Sequence, residues 1–260
     1  MPFSPSDWHN RFTVQAGWTS NTRRYLFNLA GISEAASVLD VGCGTGVLTG
    51  EIAHMGIHLP VGIDIDLNFT IQAATSFPGG NFINSDALHI PFQRNTFDIS
   101  FCHYVLMWVS DPLMMLNQMG RVTKPGSAVL ALAEPDYGGR IDYPPELEII
   151  NQWQSAGIQS SGGNPNFGRR LKELFHAAGF SEIEVGVIGA QWKEPPSPAD
   201  IESEWRVIHH DLEAVEKKSS ELLENLEDLK YLDIRAWANG ERILYVPTFY
   251  ALGRVPKGYR

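Results

Sequence analysis

The chain has 260 residues, of which 43% are hydrophobic and 19% are charged, and its formal net charge at pH 7 is −10. A chain of this length can bury a sizeable core, and the composition is that of a globular protein. The acidic balance disfavours a nucleic-acid partner, because proteins that bind phosphate backbones usually present a basic face.

The expected location is the cytoplasm. The two cysteines, Cys43 and Cys102, are too few for a disulfide framework, which favours a reducing compartment. The first residues, MPFSP, lack the charged and then apolar pattern of a secretory signal. No run of about 18 apolar residues occurs, so we expect no membrane span.

Residues 1–33 are predicted to form a helical lid. The segment is rich in aromatic residues, and Trp18 precedes a helix with an apolar stripe that ends at Gly31. Two interpretations remain open: the aromatic side chains either pad the edge of a sheet or close over a ligand and exclude water. Arg23 on this helix is a candidate partner for a ligand carboxylate, because a guanidinium binds a carboxylate with two parallel hydrogen bonds.

A strand, a glycine turn and a helix come next. The apolar run 37–41 predicts a buried strand, and apolar residues at helical spacing predict a helix from Val47 that Gly56 ends. The turn between them has a glycine at every second position: Gly42, Gly44 and Gly46. Such a turn presents backbone N–H groups that bind polar or anionic ligands, and glycine lets a ligand approach the backbone.

The turn differs from two common nucleotide-binding patterns. The dinucleotide pattern needs a glycine where this chain has Val47, and the phosphate-loop pattern needs a lysine after Gly46. The stretch LDVGCGTG instead resembles motif I of the class I S-adenosylmethionine-dependent methyltransferases, particularly the small-molecule branch that includes ubiquinone and menaquinone biosynthesis methyltransferases. The resemblance implies S-adenosylmethionine as cofactor, S-adenosylhomocysteine as product, and a set of cofactor contacts at Asp40, Gly42, Cys43 and Gly44. With such a cofactor, the lid interpretation makes Trp18 and Arg23 candidate contacts, with Arg23 on the cofactor carboxylate.

An acidic residue ends the next predicted strand. Asp64 lies 18 residues after Gly46, close to the spacing at which an acid on a second strand binds ribose hydroxyls. A carboxylate suits a diol because it accepts two hydrogen bonds side by side. Asp66 is the competing candidate, and the family position favours Asp64. The resemblance further implies that Ile65 packs on the adenine ring.

Two more strand ends complete the implied cofactor site. Ser85, Asp86 and Ala87 follow the third predicted strand, and the resemblance implies that they bind adenine, with Asp86 accepting from its exocyclic amine. Alone, these residues would indicate only a turn or a helix cap. His103, at the end of the fourth strand, is expected to contact the cofactor, chiefly through its backbone. A general base and a structural histidine are the alternatives.

The fifth predicted strand ends in EPDYGG at residues 134–139. Ligands of open parallel sheets bind beyond the carboxyl ends of the strands. The two acids and the phenol of this segment, Glu134, Asp136 and Tyr137, would bind a cationic amine or take a proton from the acceptor. The candidate catalytic residues are His103, Tyr104, Glu134 and Tyr137. The alternative for Glu134 is a purely structural capping role.

The predicted fold is α/β: a Rossmann-like, doubly wound, mostly parallel sheet of seven strands with an antiparallel edge strand, plus N-terminal and inserted helical cap segments. We expect one domain over residues 1–260. Its parts are the lid, a cofactor-binding half at 34–139, and a segment at 140–260 with cap insertions, the last crossover helix and the final strands. Pro247 within the last strand, 242–252, predicts an edge position for that strand.

The implied reaction is transfer of a methyl group to an O, N or C nucleophile of a small molecule, by in-line displacement in a desolvated pocket. No His or Cys spacing typical of a metal site occurs, so no metal is expected. The expected partner is a small-molecule acceptor rather than nucleic acid, and the chain is expected to be a monomer or homodimer. Two alternatives remain open: a cofactor-binding regulatory or assembly protein without transfer activity, and a methyltransferase that acts on protein or nucleic acid.

Overall fold

The computed structural model describes residues 3–56, 59–189, 195–214 and 220–259. The outer ends of the predicted segments 1–33 and 140–260 lie outside the described residues. The chain forms two compact units. The first comprises Met1–Glu134, Phe167–Ile188 and Thr248–Arg260, and the second comprises Pro135–Asn166 and Gly189–Pro247. The expectation of one domain over 1–260 stays a prediction.

Helices and strands alternate along much of the described chain, and the following elements belong to both units. The helices are α1 (Pro5–Trp18), α2 (Ser20–Ala30), α3 (Val47–His54), α4 (Leu67–Ser76), α5 (Pro112–Val122), α6 (Ile149–Ser160), α7 (Leu171–Ala177), α8 (Pro198–Ala214) and α9 (Ser220–Ala238). The strands are β1 (Ser37–Val41), β2 (Leu59–Asp64), β3 (Asn81–Asn84), β4 (Phe97–Cys102), β5 (Thr123–Pro135), β6 (Ile141–Tyr143), β7 (Ser181–Ile188), β8 (Ile243–Tyr245) and β9 (Thr248–Arg254).

The main sheet has seven strands in the order β3-β2-β1-β4-β5-β9-β7. Strands β1 to β5 pair in parallel, whereas β7 and β9 pair antiparallel. This confirms the predicted mostly parallel sheet with an antiparallel pairing at one edge. The predicted edge position of the last strand, 242–252, is wrong: the segment forms β8 and β9, and β9 lies between β5 and β7. Pro247 precedes β9 rather than interrupting it, so the proline leaves the ladder of hydrogen bonds of β9 intact.

Local sequence signals place the helices of the first unit. Asp111 caps α5 by accepting a 2.9 Å hydrogen bond from the N–H of Met114, and Pro112 occupies the first helical turn. Gly31 ends α2 in the left-handed conformation, at φ 81°. The core forms where α2 and α3 pack on one face of the sheet, with the rings of Phe27 and Phe101 in edge contact at 5.4 Å.

The second unit contains α6, α8, α9 and the two-stranded sheet β6-β8. Its core is centred on the buried Trp205, whose indole N–H donates to Asp233 at 2.8 Å. Arg242 joins Asp233 to Asp142 through hydrogen bonds of 2.6 and 2.7 Å, so these buried charges are mutually neutralised. None of the helices in the described ranges is long and apolar enough to cross a membrane.

Candidate cofactor-binding site

The glycine turn between β1 and α3 has the backbone geometry that its sequence predicts. Gly42, Gly44 and Gly46 have φ angles of 75°, 53° and 80°, a region that favours glycine. A Cβ atom at Gly42 would lie 2.4 Å from the side chain of Val105, so a larger residue would also collide with the loop after β4. The N–H groups of Gly42 and Cys43 donate to the carbonyl of Ile63, which fixes the turn to the end of β2.

Both carboxylate oxygens of Asp64 accept hydrogen bonds, and one of them joins the end of β2 to this turn. Oδ2 accepts from the N–H of Gly44 at 2.8 Å, and Oδ1 accepts from the N–H of Asp66 at 2.9 Å. Burial raises the pKa of Asp64 above its ordinary value. Each oxygen keeps a second lone pair for a ligand. The competing candidate, Asp66, instead caps α4 by accepting from the N–H of Asn68 at 2.8 Å. The geometry therefore favours Asp64 as the acid that faces a ligand in this turn.

Asp40 and Cys43 are both buried beneath the turn. Asp40 accepts a 2.7 Å hydrogen bond from the hydroxyl of Thr49 on α3, and burial raises the pKa of its carboxyl to about 7. Burial also raises the pKa of the Cys43 thiol well above its ordinary value. Because the Cys43 side chain is buried, only its backbone is available to contact a ligand.

The ends of β2 and β3 lie together, with an exposed apolar side chain beside them. The N–H of Ser85 donates to the carbonyl of Asp64 at 2.9 Å. Asp86 accepts from the N–H of Leu88 at 2.8 Å, and its side chain is 41% exposed. Ile65 is 73% exposed, which is unusual for isoleucine and leaves its surface free to cover a planar ring. Ala87 lies between Asp86 and Leu88 in the same partly buried loop.

The N-terminal helix α1 contacts the glycine turn directly. A Cβ atom at Gly44 would lie 3.0 Å from the ring of Phe12, and the ring of His9 bonds to the hydroxyl of Thr45 at 2.9 Å. Phe12 also packs edge-on against Phe69 of α4 at 5.7 Å. These contacts favour the lid interpretation of residues 1–33. The predicted contact residue Trp18 is 55% exposed, with the guanidinium of Arg11 4.9 Å from its ring centroid.

Arg23 is buried and already holds a carboxylate of the protein. Its Nε and Nη2 atoms donate to the two oxygens of Glu51, at 3.2 and 2.5 Å. Its Nη1 atom donates to the carbonyl of Ala16 and the hydroxyl of Thr19, both at 2.8 Å. The bidentate geometry expected for a ligand carboxylate is thus present, with Glu51 as its partner.

His103 lies at the end of β4 and is linked to α2 through Thr19. Its Nε2 atom is 3.0 Å from the Thr19 hydroxyl. Burial, and secondarily the nearby charge of Arg23, lowers the pKa of His103 to about 3. A neutral imidazole of such low basicity is a poor proton acceptor at pH 7, which disfavours the general-base alternative. The next residue, Tyr104, adopts a left-handed backbone at φ 59° and places its ring 4.4 Å from that of His103.

Glu134 has the structural role that the sequence left as an alternative. Its carboxylate is buried and accepts hydrogen bonds from three successive backbone N–H groups, those of Val105, Leu106 and Met107, at 2.9, 2.9 and 3.2 Å. Burial raises the pKa of Glu134 to about 7 against the effect of these bonds. With both oxygens engaged, Glu134 fixes the loop after β4 and is a poor candidate for a group that meets substrate.

The last predicted catalytic residue, Tyr137, belongs to the second unit. It begins the short helical turn Tyr137–Gly139, and its N–H donates to the carbonyl of Pro165 at 2.8 Å. Within the described ranges, no group of three or more His, Cys, Asp or Glu side chains is arranged to hold a metal ion.

Sequence reasoning missed Thr19, Glu51 and Phe12. The partners of Thr19 and Glu51 lie 84 and 28 residues away along the chain, at His103 and Arg23 respectively. No local pattern marks such pairs. Phe12 had a weak signal, because it belongs to the aromatic cluster of the predicted lid.

Comparison with known proteins agrees with this geometry. Residues 39–131 match the family model described as a methyltransferase domain. The demethylmenaquinone methyltransferase of Renibacterium salmoninarum is 33% identical over 127 residues, which cover 48% of this chain and 53% of that protein. The ubiquinone/menaquinone biosynthesis C-methyltransferase UbiE of Desulfotalea psychrophila is 29% identical over 197 residues, which cover 68% of this chain and 80% of that protein.

A solved structure supports the fold. A putative methyltransferase from Bacillus halodurans has a TM-score of 0.57 and 15% identity, with 90% of this chain and 98% of that one covered. In several of the curated relatives, including the one from Renibacterium, the match spans about half of the relative's length. By its matched domain and these relatives, the chain is similar to class I S-adenosylmethionine-dependent methyltransferases, with a resemblance to those of ubiquinone and menaquinone biosynthesis.

Proposed function

We propose that this protein binds S-adenosylmethionine and transfers its methyl group to an O, N or C nucleophile of a small molecule. The observation that carries the proposal is the carboxylate of Asp64 beside the glycine turn, 2.8 Å from the N–H of Gly44. This arrangement offers acceptors for a ribose diol next to a backbone surface that a ligand can approach.

The residues fit the cofactor in three respects. The glycines at positions 42, 44 and 46 permit the positive φ angles on which the conformation of the turn depends. The exposed Ile65 supplies an apolar surface for adenine beside Asp64. Asp86 and the backbone of Ala87 lie in the loop that Ser85 fixes to β2, where an exocyclic amine would find an acceptor and a ring nitrogen would find a donor.

When bound, S-adenosylmethionine supplies a methyl group that is already activated on a sulfonium. The protein's task is therefore to hold the two reactants in line and to exclude water, which can lower the barrier by ~7–11 kcal/mol. Helix α1, packed on the turn through Phe12 and His9, is the element of this unit best placed to exclude water. The proton that the acceptor loses is released to water, so His103, whose basicity is low, is not needed to accept it.

The acceptor is proposed to be a small molecule. The formal net charge of −10 disfavours a nucleic acid, and the two relatives described above are a demethylmenaquinone methyltransferase and a ubiquinone/menaquinone biosynthesis C-methyltransferase. We infer an acceptor with a phenol, amine or activated carbon nucleophile.

The test has two steps. Calorimetry with S-adenosylhomocysteine measures cofactor binding, for which we expect one site per chain. Incubation with methyl-labelled cofactor and a panel of phenols, amines and quinol precursors then measures transfer. Binding with turnover of at least one acceptor supports the proposal, whereas binding with no turnover across the panel would favour a regulatory or assembly protein.

A further inference from the structure

The junction of α1 and α2 carries a hydrogen-bonded chain that ends on His103. Arg23 Nη1 donates to the hydroxyl oxygen of Thr19 at 2.8 Å, and that oxygen is 3.0 Å from His103 Nε2. Arg23 and Thr19 are 3% and 2% exposed, so this chain of groups lies almost wholly out of solvent. Buried polar contacts of this kind polarise one another and fix the orientation of their members.

The single hydroxyl proton of Thr19 has two acceptors within reach. The carbonyl of Ala16 is 3.3 Å away and already accepts from Arg23 at 2.8 Å, whereas His103 Nε2 is closer, at 3.0 Å. A cationic N–H bonded to the hydroxyl oxygen makes the hydroxyl a better donor. The same positive charge favours a lone pair, rather than a proton, on the imidazole nitrogen that faces it. The Thr19 proton is therefore directed to Nε2.

A neutral imidazole that accepts at Nε2 carries its proton on Nδ1. Among the described residues, none forms a hydrogen bond with His103 Nδ1, although the same ring is anchored at Nε2. The loop that follows His103 reaches the glycine turn, because Val105 is the side chain that a Cβ at Gly42 would strike. An N–H donor is thus left for a ligand at the carboxyl end of β4, close to the turn.

The charge around this donor indicates what it would bind. Arg23 is buried, whereas its partner Glu51 has a side chain that is 41% exposed and is therefore partly screened by water. The residual positive potential disfavours a cation at His103 and favours an anionic oxygen. S-adenosylmethionine and S-adenosylhomocysteine each carry one carboxylate, at the end of the molecule remote from adenine.

We propose that Thr19 is a positioning residue that holds the proton of His103 on Nδ1, and that this N–H binds the carboxylate of the cofactor. His103 is then a hydrogen-bond donor rather than a general base. This inference rests on the proposed function, since it assigns a contact within the same cofactor site.

The first measurement uses the unaltered protein with ¹⁵N-labelled histidine, and the signal of His103 is assigned by its loss in His103→Asn. We expect the proton on Nδ1 and a lone pair on Nε2 at pH 7. A proton on Nε2 overturns the inference. This readout does not depend on whether a variant at position 19 folds.

The second measurement compares two probes on Thr19→Val, which removes the hydroxyl but keeps the shape of the side chain. S-adenosylhomocysteine carries the carboxylate, and 5′-methylthioadenosine lacks the whole amino-acid end. We expect about tenfold weaker binding of S-adenosylhomocysteine, because one hydrogen bond to a charged group is lost. Binding of 5′-methylthioadenosine should be unchanged. Equal changes for both probes, or no change for either, would overturn the inference.

Two controls separate positioning from general damage. Thr19→Ser keeps the hydroxyl and is expected to restore binding of S-adenosylhomocysteine to within about twofold and to return the His103 proton to Nδ1. Thr13→Val makes the same substitution in α1, where the hydroxyl donates to the carbonyl of His9 at 2.9 Å, and it is expected to leave the binding of both probes unchanged. If the unaltered protein binds no S-adenosylhomocysteine at all, the proposed function fails instead.

Discussion

The ends of the first three strands and the ends of the fourth and fifth strands use their acidic residues differently. Asp64 accepts from two backbone N–H groups, and Asp86 accepts from one and contacts the ring of His89, but both carboxylates are only partly buried and lie beside the exposed Ile65. Glu134 is buried and spends both oxygens on three backbone N–H groups. An acid at the carboxyl end of a parallel strand is thus not by itself a functional acid. Its hydrogen bonds decide whether it meets a ligand or stabilises a loop.

The largest expected effect concerns Asp64. Asp64→Asn removes the negative charge and one acceptor, so the charge-assisted hydrogen bonds to a ribose diol are lost. We expect the affinity for S-adenosylhomocysteine to fall about 100-fold, or about 3 kcal/mol. Calorimetry with S-adenosylhomocysteine measures this. Asp66→Asn is the matched control, since that carboxylate caps α4, and it is expected to leave affinity within about twofold. Equal losses in the two variants would contradict the distinction between them.

Glu134→Ala tests whether this acid stabilises the loop after β4, and the quantity measured is the stability of the protein. Three buried N–H groups would lose their acceptor, and the free energy of unfolding should fall by about 2–3 kcal/mol in urea titrations. The raised pKa of Glu134 also predicts a dependence on pH. Between about pH 4.5 and 7, the folded state keeps a proton on Glu134 that the unfolded state releases. The contribution of this carboxyl to the free energy of unfolding therefore falls as the pH rises. We expect the stability difference between the unaltered protein and the variant to shrink over that window. A difference that grows with pH would show that Glu134 is charged throughout.

Arg23→Ala tests whether the buried cation beside Thr19 and His103 contributes to cofactor binding. The variant removes the cation behind Thr19 and His103, and we expect about tenfold weaker binding of S-adenosylhomocysteine. Glu51→Gln breaks only the ion pair with Arg23 and serves as the control, with a change of less than about threefold. Calorimetry on both variants decides the matter: an unaltered dissociation constant in Arg23→Ala would remove Arg23 from the site.

The smallest expected effect is at Ile65. Ile65→Ser removes an apolar surface that adenine would cover, about 1 kcal/mol or about fivefold in affinity, with little change in stability because the side chain is exposed. Ile71→Ser on α4 is the matched control, since Ile71 is 56% exposed, and it should not alter affinity. Weakened binding in both variants, measured in parallel titrations, would point to disturbance of α4 rather than to an adenine contact.

The sequence anticipated what depends on neighbouring residues. The glycine turn and the strand that precedes it each follow from a short stretch of chain. Glu134 was open to two interpretations, because the three N–H groups that engage it come from residues 27 to 29 positions earlier. The Thr19–His103 contact joins residues 84 positions apart, and only the packed structure brings them together.

Burial accounts for the remaining differences. The sequence offers His103 as a base on the strength of its ordinary pKa, and only its enclosure beside Arg23 lowers that pKa to about 3. Arg23 was expected to meet a ligand carboxylate, and α3 supplies one from the protein, at Glu51. Desolvation and partner choice are properties of the folded arrangement, so composition and spacing do not reveal them.

The most direct test of the central claim is a calorimetric titration of the full chain with S-adenosylhomocysteine. The account predicts saturable binding at one site per chain, lost to about 100-fold weaker affinity in Asp64→Asn. Absence of binding by the unaltered protein, or full affinity in Asp64→Asn, would contradict it.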